Sequence, residues 1–393
     1  MRLERVELTS FRSHTGTALE LAPKINLLCG ENGAGKTNVL EAIHCLCLSK
    51  SFLTSTDSNI LQRGASFYEV EGVFTGSRRA SLKARLIYVP AEGKRILLNG
   101  AALERMADIV GELPVVAISP GDITLTAGGP EERRRFLDAT LCQAYPVYLD
   151  DLMKYRRTLR QRNILLLQEK RGGWVDTAAL AAWSEELVAL GARIIARRKE
   201  FIGQFAQFLA EAYALLDDVG DEPSMEYVTV GEIGETGEVS SADAIADVFR
   251  DRLASLGRNE RKKGRTLAGP HLDEVVFRLG DFEVRPYASQ GQHRIVGLAV
   301  RLATVLYLNA RLDEMPILLL DDVFGTLDRR RAGIVVDLLK SDAVGQSVVT
   351  AARPEVLSDY ISFDSAKHSV FTLEGGMLNG RGQIRGVSEE QAV

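Results

Sequence analysis

Ile25-Asn26-Leu27-Leu28-Cys29-Gly30-Glu31-Asn32-Gly33-Ala34-Gly35-Lys36-Thr37 is the stretch that decides the fold. Its first five residues are an apolar run of strand length. A glycine-rich turn follows, and the chain restarts as a helix expected over Asn38–Leu48. Strand, turn and helix in that order are the context that G-x-x-x-x-G-K-[ST], the phosphate-binding loop, requires. Gly30, Gly33 and Gly35 let the backbone curl so that its N–H groups point inward at phosphate oxygens. The helix N-terminus adds partial positive charge. Lys36 can reach β- and γ-phosphates, and the Thr37 hydroxyl can ligate Mg²⁺. Glu31, Asn32 and Ala34 within the loop, Asn38 just after it, and Arg12 in a turn leading toward it complete the candidate nucleotide contacts. The ligand called for is a nucleoside triphosphate.

Bulk properties narrow what the nucleotide can drive. The chain has 393 residues, 46% hydrophobic and 26% charged, as in ordinary globular proteins, and is long enough for two lobes. A net charge of −5 makes any nucleic-acid surface a local patch. Arg2, Glu4, Arg5 and Glu7 interrupt the start in a way no signal peptide does, and no apolar run is long enough to span a bilayer. Cys29, Cys45, Cys47 and Cys142 lack C-x-x-C spacing, so neither a disulfide framework nor a zinc site is suggested. The compartment expected is the cytoplasm, with no membrane partner.

Residues 2–8 read as an edge strand. Phe67–Phe74 and Leu82–Tyr88 alternate with period two, and Arg95–Gly100 ends in an Asn-Gly turn, so an antiparallel sheet is expected beside the nucleotide core. Leu113–Ile118 is a further strand. From Glu131 to about Asp217 the spacing is helical: Leu152, Tyr155, Leu159 and Leu166 mark one face. Trp183, Leu187, Leu190, Ile194, Phe201, Phe205 and Phe208 mark another. These stripes are expected to pack two antiparallel helices. Arg156, Arg157, Arg160, Arg162, Arg193, Arg197, Arg198 and Lys199 are placed on their polar sides. A short strand is expected at 225–230 and a helix over Ala242–Leu256. Arg258 to Arg265, the densest positive charge in the chain, is expected to be a mobile loop. The division expected is an N-terminal ATPase half over 1–130, a helical insertion over 131–265 and a C-terminal ATPase half over 266–393.

The C-terminal third carries the remaining parts of an ATP machine. Ile317-Leu318-Leu319-Leu320-Asp321-Asp322 is an apolar strand ending in two carboxylates. Asp321 is placed to hold Mg²⁺, directly or through water, and Asp322 to orient or deprotonate the attacking water. Upstream, Ser289-Gln290-Gly291-Gln292 caps an apolar helix over Ile295–Leu308 and offers a hydroxyl and free N–H groups to an anion. The ATP-binding-cassette class carries S-G-G-Q there and uses it on the γ-phosphate held by another subunit. The order phosphate loop, Ser-x-Gly-Gln, double acid, then Gly325-Thr326-Leu327-Asp328 matches that class. One copy of each motif per chain implies a head-to-tail homodimer with two ATP sandwiched. Lys36 and Asp321 stand too far apart in the chain for a compact transporter cassette, and Thr350 stands where transporters carry a histidine.

The sequence resembles the RecF family of bacterial recombination-repair proteins over nearly its whole length. The resemblance rests on residues 30–37, on Gly129-Pro130-Glu131-Glu132-Arg133-Arg134-Arg135-Phe136-Leu137-Asp138, on Ala268-Gly269-Pro270-His271-Leu272-Asp273-Glu274, on residues 289–292 and on residues 320–328. It implies an α/β fold: a phosphate-loop ATPase head of the ATP-binding-cassette type, similar to those of Rad50 and the structural-maintenance ATPases, with a short helical lobe. It further implies dimerisation on ATP, clamping of duplex DNA near single-strand gaps, slow hydrolysis, and cooperation with RecR and RecO to load RecA. Candidate DNA contacts are Arg133, Arg134, Arg258, Arg261, Lys262 and Lys263. Leu272 and the Ser51-Phe52-Leu53 segment replace basic residues common in the family and remove positive charge there. An alternative left open is a related ATPase that serves a protein partner without clamping DNA.

Overall fold

The computed structural model describes residues 1–77, 79–216, 221–229, 241–363 and 366–381. The chain begins with a hairpin, β1 (Arg2–Phe11) and β2 (His14–Glu20), before β3 (Ile25–Cys29) and helix α1 (Lys36–Leu48). Strands β4 (Tyr68–Thr75), β5 (Leu82–Val89), β6 (Gly93–Leu98) and β7 (Ala101–Ala102) then continue the hairpin's sheet, and β8 (Val115–Ile118) leaves it. The antiparallel order is β2-β1-β4-β5-β6-β7. Period-two alternation shows directly in β4, whose alternate residues are buried. The expected edge strand is instead interior. Leu3, Val6 and Leu8 of β1 are fully buried, and the more polar His14–Glu20 run, unread as a strand, takes the edge.

The middle of the chain holds α2 (Ile123–Ala127), α3 (Pro130–Ala144), α4 (Pro146–Lys170), α5 (Thr177–Leu216), β9 (Pro223–Val228) and α6 (Ala242–Lys263). β10 (Glu274–Leu279), β11 (Phe282–Glu283), α7 (Val284–Tyr287) and α8 (Gln290–Arg311) follow. α4 and α5 run antiparallel, as the side-chain pairs Tyr148–Arg198, Asp151–Arg193 and Arg162–Ser184 require. The apolar stripes do face inward: Leu152, Tyr155, Leu187, Ile194, Phe201 and Phe205 are buried. Two of the arginines assigned to solvated faces are not solvated. Arg162 and Arg198 are buried, paired with Glu260 and Asp138.

The basic segment at 258–265 is also corrected. It is the last two turns of α6, not a loop. Ser241 caps the helix by accepting from Ala244 N–H, Ile245, Phe249 and Leu253 bury one face, and Gly264 closes it at φ 72°. Arg261, Lys262 and Lys263 sit in the final turn, where cations complement the helix dipole. Charge density had masked the apolar period.

The chain ends with β12 (Ile317–Leu320), α9 (Arg329–Lys340), β13 (Ser347–Ala351), α10 (Glu355–Ser358), β14 (His368–Glu374) and β15 (Met377–Arg381). The second six-stranded sheet runs β15-β14-β3-β13-β12-β8, parallel throughout except for β15. Its central strands β3, β13 and β12 are buried at every position, the signature of a sheet covered on both faces. α1 packs against β1, β4 and β5 on one side and β8 and β13 on the other, so it is apolar nearly all round. Gly72 permits this approach: a Cβ there would lie 2.7 Å from Leu46 Cδ2. The chain divides into two compact units, Met1–Asp122 with Ala214–Asp218 and Leu298–Val393, and Ile123–Tyr213 with Val219–Gly297. The polar residues after 381 lie outside the described residues.

Candidate active site

The phosphate loop spans the end of β3 and the start of α1. Gly33 and Gly35 hold φ values of 85° and 97°, left-handed conformations that disfavour a side chain. Helix α1 has no capping side chain, and the N–H groups of Gly33, Gly35, Lys36 and Thr37 meet no acceptor among the described residues. That is a helix N-terminus arranged for an anion. Lys36 Nζ donates to the carbonyls of Gly30 at 2.6 Å and Glu31 at 2.9 Å, which holds the ammonium over the loop. Asn38 Nδ2 donates to Ser13 Oγ at 2.9 Å.

Support for the loop comes from residues the sequence reading did not single out. Buried His14 places Nε2 3.0 Å from the Gly35 carbonyl and Nδ1 2.8 Å from Thr17 Oγ1. Gly376 N–H donates to the Ala34 carbonyl at 3.0 Å. Burial lowers the His14 pKa below the ordinary imidazole range. Nothing in the local residue pattern distinguishes such a histidine from a core one. From the turn between β1 and β2, Arg12 reaches across to α1: it forms a two-pronged ion pair with the buried Glu41, 2.7 and 2.8 Å, and donates to the Asn59 carbonyl. Glu41 raises its pKa.

The two carboxylates that end β12 meet the loop. Thr37 Oγ1 donates to Asp321 Oδ1 at 2.8 Å, and Thr350 Oγ1 donates to the same oxygen at 2.9 Å. Thr350 also accepts from Asp322 N–H at 2.9 Å. Asp322 adopts φ 49°, unusual for a residue with a side chain, and is exposed. Thr350 therefore fixes both acids, a role its position at the end of a buried strand did not reveal. Asp328 caps α9, accepting from Arg331 N–H at 2.9 Å, and this hydrogen bond lowers its pKa.

In the second unit, Ser289-Gln290-Gly291-Gln292 forms a capping box. Gln292 N–H donates to Ser289 Oγ at 3.3 Å while Gln292 Oε1 accepts from Ser289 N–H at 2.8 Å. All four residues are exposed. The arginine-rich run at 129–138 has a mostly structural part. Arg133 is 3% exposed and grips Glu274 with both Nε and Nη2, at 2.7 and 2.9 Å, so it is withdrawn from the candidate DNA contacts. Arg134 donates to the Asp273 carbonyl at 2.7 Å. Asp138 accepts from Arg198 and Tyr148, while Arg198 also donates to the Pro270 carbonyl. The runs 129–138 and 268–274 thus clasp one another. At the end of α6, Arg258, Arg261, Lys262 and Lys263 are all exposed, with Arg261 bonded to Glu169.

Residues 2–376 match the family model of the RecF/RecN/SMC N terminal domain. Over 377 residues the chain is 50% identical to the DNA replication and repair protein RecF of Salinibacter ruber (strain DSM 13855 / M31), covering 96% of this chain and 91% of that one. The chain belongs to the RecF family. RecF of Chloroherpeton thalassium (strain ATCC 35110 / GB-78) is 40% identical over 380 residues, 97% of this chain and 100% of that protein. The structure of the recombination mediator protein RecF with ATP, from the RecFOR pathway, superposes with a TM-score of 0.87 at 28% identity, covering 96% and 97% of the two chains. An SMC head bound to a ScpA domain gives 0.55 at 16% identity and shares the fold alone. The expected α/β ATPase head is thus the fold of this RecF-family chain.

Proposed function

We propose that this RecF-family chain is an ATP-driven clamp in DNA replication and recombinational repair. The observation that carries the ATPase reading is the Thr37–Asp321–Thr350 arrangement, which joins three distant segments at one carboxylate oxygen. The nucleotide is ATP, cradled by the N–H groups of Gly33, Gly35, Lys36 and Thr37 with Lys36 over its β- and γ-phosphates. Thr37 and Asp321 are hard oxygen donors of the kind Mg²⁺ selects, and they would hold it. The ion supplies charge neutralisation at the phosphates when bound. Asp322, held by Thr350, orients or deprotonates the attacking water. Asp322 has one methylene fewer than glutamate, and slow turnover follows, with hydrolysis timing release.

Ser289 to Gln292, exposed and already ordered, offers its helix N-terminus to the γ-phosphate of a second copy, which gives an ATP-dependent homodimer. ATPase halves at 1–130 and 266–393 flank a helical lobe at 131–265. Duplex and gapped DNA are bound through Arg134, Arg258, Arg261, Lys262 and Lys263, by phosphate contacts that carry no sequence preference. RecO- and RecR-type mediators are the protein partners, a reading supported by the likeness to RecF of the RecFOR pathway. The deciding experiment measures binding to a gapped duplex with ATP, ADP or neither, using Lys36→Ala and Ser289→Arg as controls. Light scattering of Asp322→Asn with saturating ATP reports the dimer. Tight binding confined to ATP and lost in both controls supports the clamp. Binding that ignores nucleotide, with a monomer under saturating ATP, refutes it and shifts the function to a protein partner.

A further inference from the structure

Two successive peptides of the phosphate loop are gripped from behind by residues outside it. Gly376, in the turn between β14 and β15, donates its N–H to the Ala34 carbonyl at 3.0 Å. His14, at the start of β2, places Nε2 3.0 Å from the Gly35 carbonyl. Each of these carbonyls shares a planar trans peptide with the next N–H, which points the opposite way. The N–H groups so aimed belong to Gly35 and Lys36, and neither meets an acceptor among the described residues. Glycine lets the parts close up. A Cβ on Gly35 would lie 2.8 Å from His14 Nε2, and one on Gly376 would lie 2.2 Å from the Ser13 carbonyl oxygen.

Thr17 joins the two grips. Its Oγ1 lies 2.8 Å from His14 Nδ1 and donates to the Gly376 carbonyl at 2.9 Å. A carbonyl only accepts, and a threonine hydroxyl has a single hydrogen to give. With that hydrogen on Gly376, Thr17 must accept from His14, so Nδ1 needs a proton. Nε2 faces a carbonyl and needs one as well. The three hydrogen bonds therefore coexist only on a doubly protonated, cationic ring. A neutral ring gives one up: Thr17 turns its hydrogen to Nδ1 and releases the Gly376 carbonyl. Burial favours the neutral ring, the carbonyls of Gly35 and Gly376 favour the charged one, and in the nucleotide-free protein burial prevails. Charges on the surrounding segments are engaged elsewhere or exposed. Arg12 is turned to Glu41, Glu20 to Arg5, and Lys36 Nζ to the carbonyls of Gly30 and Glu31, while the side chains of Glu31 and Glu374 are exposed.

The charged ring lacks a nearby anion, and the phosphates of ATP supply one. We infer that ATP binding draws a proton from solvent onto His14, so that the grip of the loop on phosphate is proton-linked. Phosphate settles on the N–H groups of Gly35 and Lys36, at the front of the peptides held from behind, and its charge offsets the cost of a buried imidazolium. The cationic ring in turn polarises the Gly35–Lys36 peptide and makes the Lys36 N–H a stronger donor. His14 is thus a positioning residue, acting through that peptide. This coupling rests on the ATPase reading above and adds a dependence on pH. A ring more basic in the complex than in the free protein adds affinity in full below its free-protein pKa, which lies under 6.5. That gain is lost as pH rises through the pKa in the complex.

The test is calorimetric titration of the full-length protein with ATP, without Mg²⁺, from about pH 6 to 8. Two buffers of different ionisation enthalpy at each pH count the protons taken up. His14→Gln keeps a donor and an acceptor but takes no proton, so it reports the titration of ATP itself. Near neutral pH the parent should take up about half to one proton more than His14→Gln, and its relative affinity should rise about three- to tenfold per unit fall in pH. Thr17→Val keeps the volume, removes the acceptor of the Nδ1 proton, and should lose most of the excess uptake although His14 remains. Nitrogen-15 NMR of the parent's labelled histidines should show both His14 ring nitrogens protonated with ATP and one without it. Equal uptake in parent and His14→Gln, or a His14 that stays neutral with ATP bound, refutes the coupling and leaves the ATP site standing. Excess uptake undiminished in Thr17→Val overturns the hydrogen-bond accounting and the inference with it. A parent that binds no ATP at any pH overturns the ATPase reading and the coupling together.

Discussion

Thr350→Val removes a hydroxyl and keeps its volume, which makes it a direct test of the geometry at the double acid. Two hydrogen bonds go with it: the 2.9 Å donation to Asp321 Oδ1 and the 2.9 Å acceptance from Asp322 N–H. A bond to an ionised carboxylate contributes about 1.5–3 kcal/mol, and a backbone N–H deprived of its acceptor costs about 1 kcal/mol or more. The nucleotide-free protein should therefore lose about 2–4 kcal/mol of stability in denaturant unfolding. Hydrolysis should suffer separately. Asp322 sits at φ 49°, a conformation that costs about 1–3 kcal/mol and needs an external tether. Released from Thr350, its carboxylate loses its aim, and a misalignment worth about 1.4–2.7 kcal/mol slows single-turnover hydrolysis about 10- to 100-fold. ATP binding measured without Mg²⁺ should hardly change, because the loop N–H groups and Lys36 are untouched. Thr350→Ser should restore both stability and rate. If Thr350→Val hydrolyses ATP within twofold of the parent, the two acids do not depend on this hydroxyl and the account of Asp322 is wrong.

Other outcomes follow from single contacts. Arg198→Met should destabilise the protein by about 3–5 kcal/mol in chemical denaturation, because Asp138 and the buried Asp273 lose a buried cation. Ser289→Ala should cost about 1 kcal/mol through loss of the capping box, seen as faster amide exchange in the first turn of α8. Burial pushes His44 and His271 down to about 4, from 6.5 when unfolded. Their neutral forms are favoured by folding, so their effect on stability is flat above about pH 7. Stability then falls as pH drops from 6.5 toward 4, by up to about 3 kcal/mol for each histidine. Unfolding free energies between pH 4 and 8 check this, and His271→Gln should remove part of the slope.

Local signals carried much of the fold and of the candidate nucleotide site. The phosphate loop and the strand ending at Asp321-Asp322 are each a run of adjacent residues whose chemistry depends on backbone geometry, so they could be read without tertiary knowledge. Alternation in 67–88 and the stripe through Leu187, Ile194 and Phe205 were equally direct. What escaped was pairing between distant residues. Arg133 reads as a solvated cation until Glu274, 141 positions away, closes on it. His14 and Thr350 carry no motif of their own, and each matters because of a group brought to it by the sheet. The end of α6 failed for another reason. Arg258 to Lys263 has so few apolar residues that its period vanished, although Phe249 and Leu253 had already set the helix and the dipole welcomed the cations.

The clasp between residues 133–138 and 268–274 constrains how this protein can be rebuilt. Arg133 answers Glu274, Arg134 answers a carbonyl of Asp273, and Arg198 is shared by Asp138 and the Pro270 carbonyl. A graft that moved only the 130–144 helix from a relative would import half of each pair and strand the rest in a dry interior. The two segments, though more than a hundred residues apart, form one exchangeable part. Shuffled chains should fold only when α3, the start of α5's second half and the Gly269–Glu274 turn travel together.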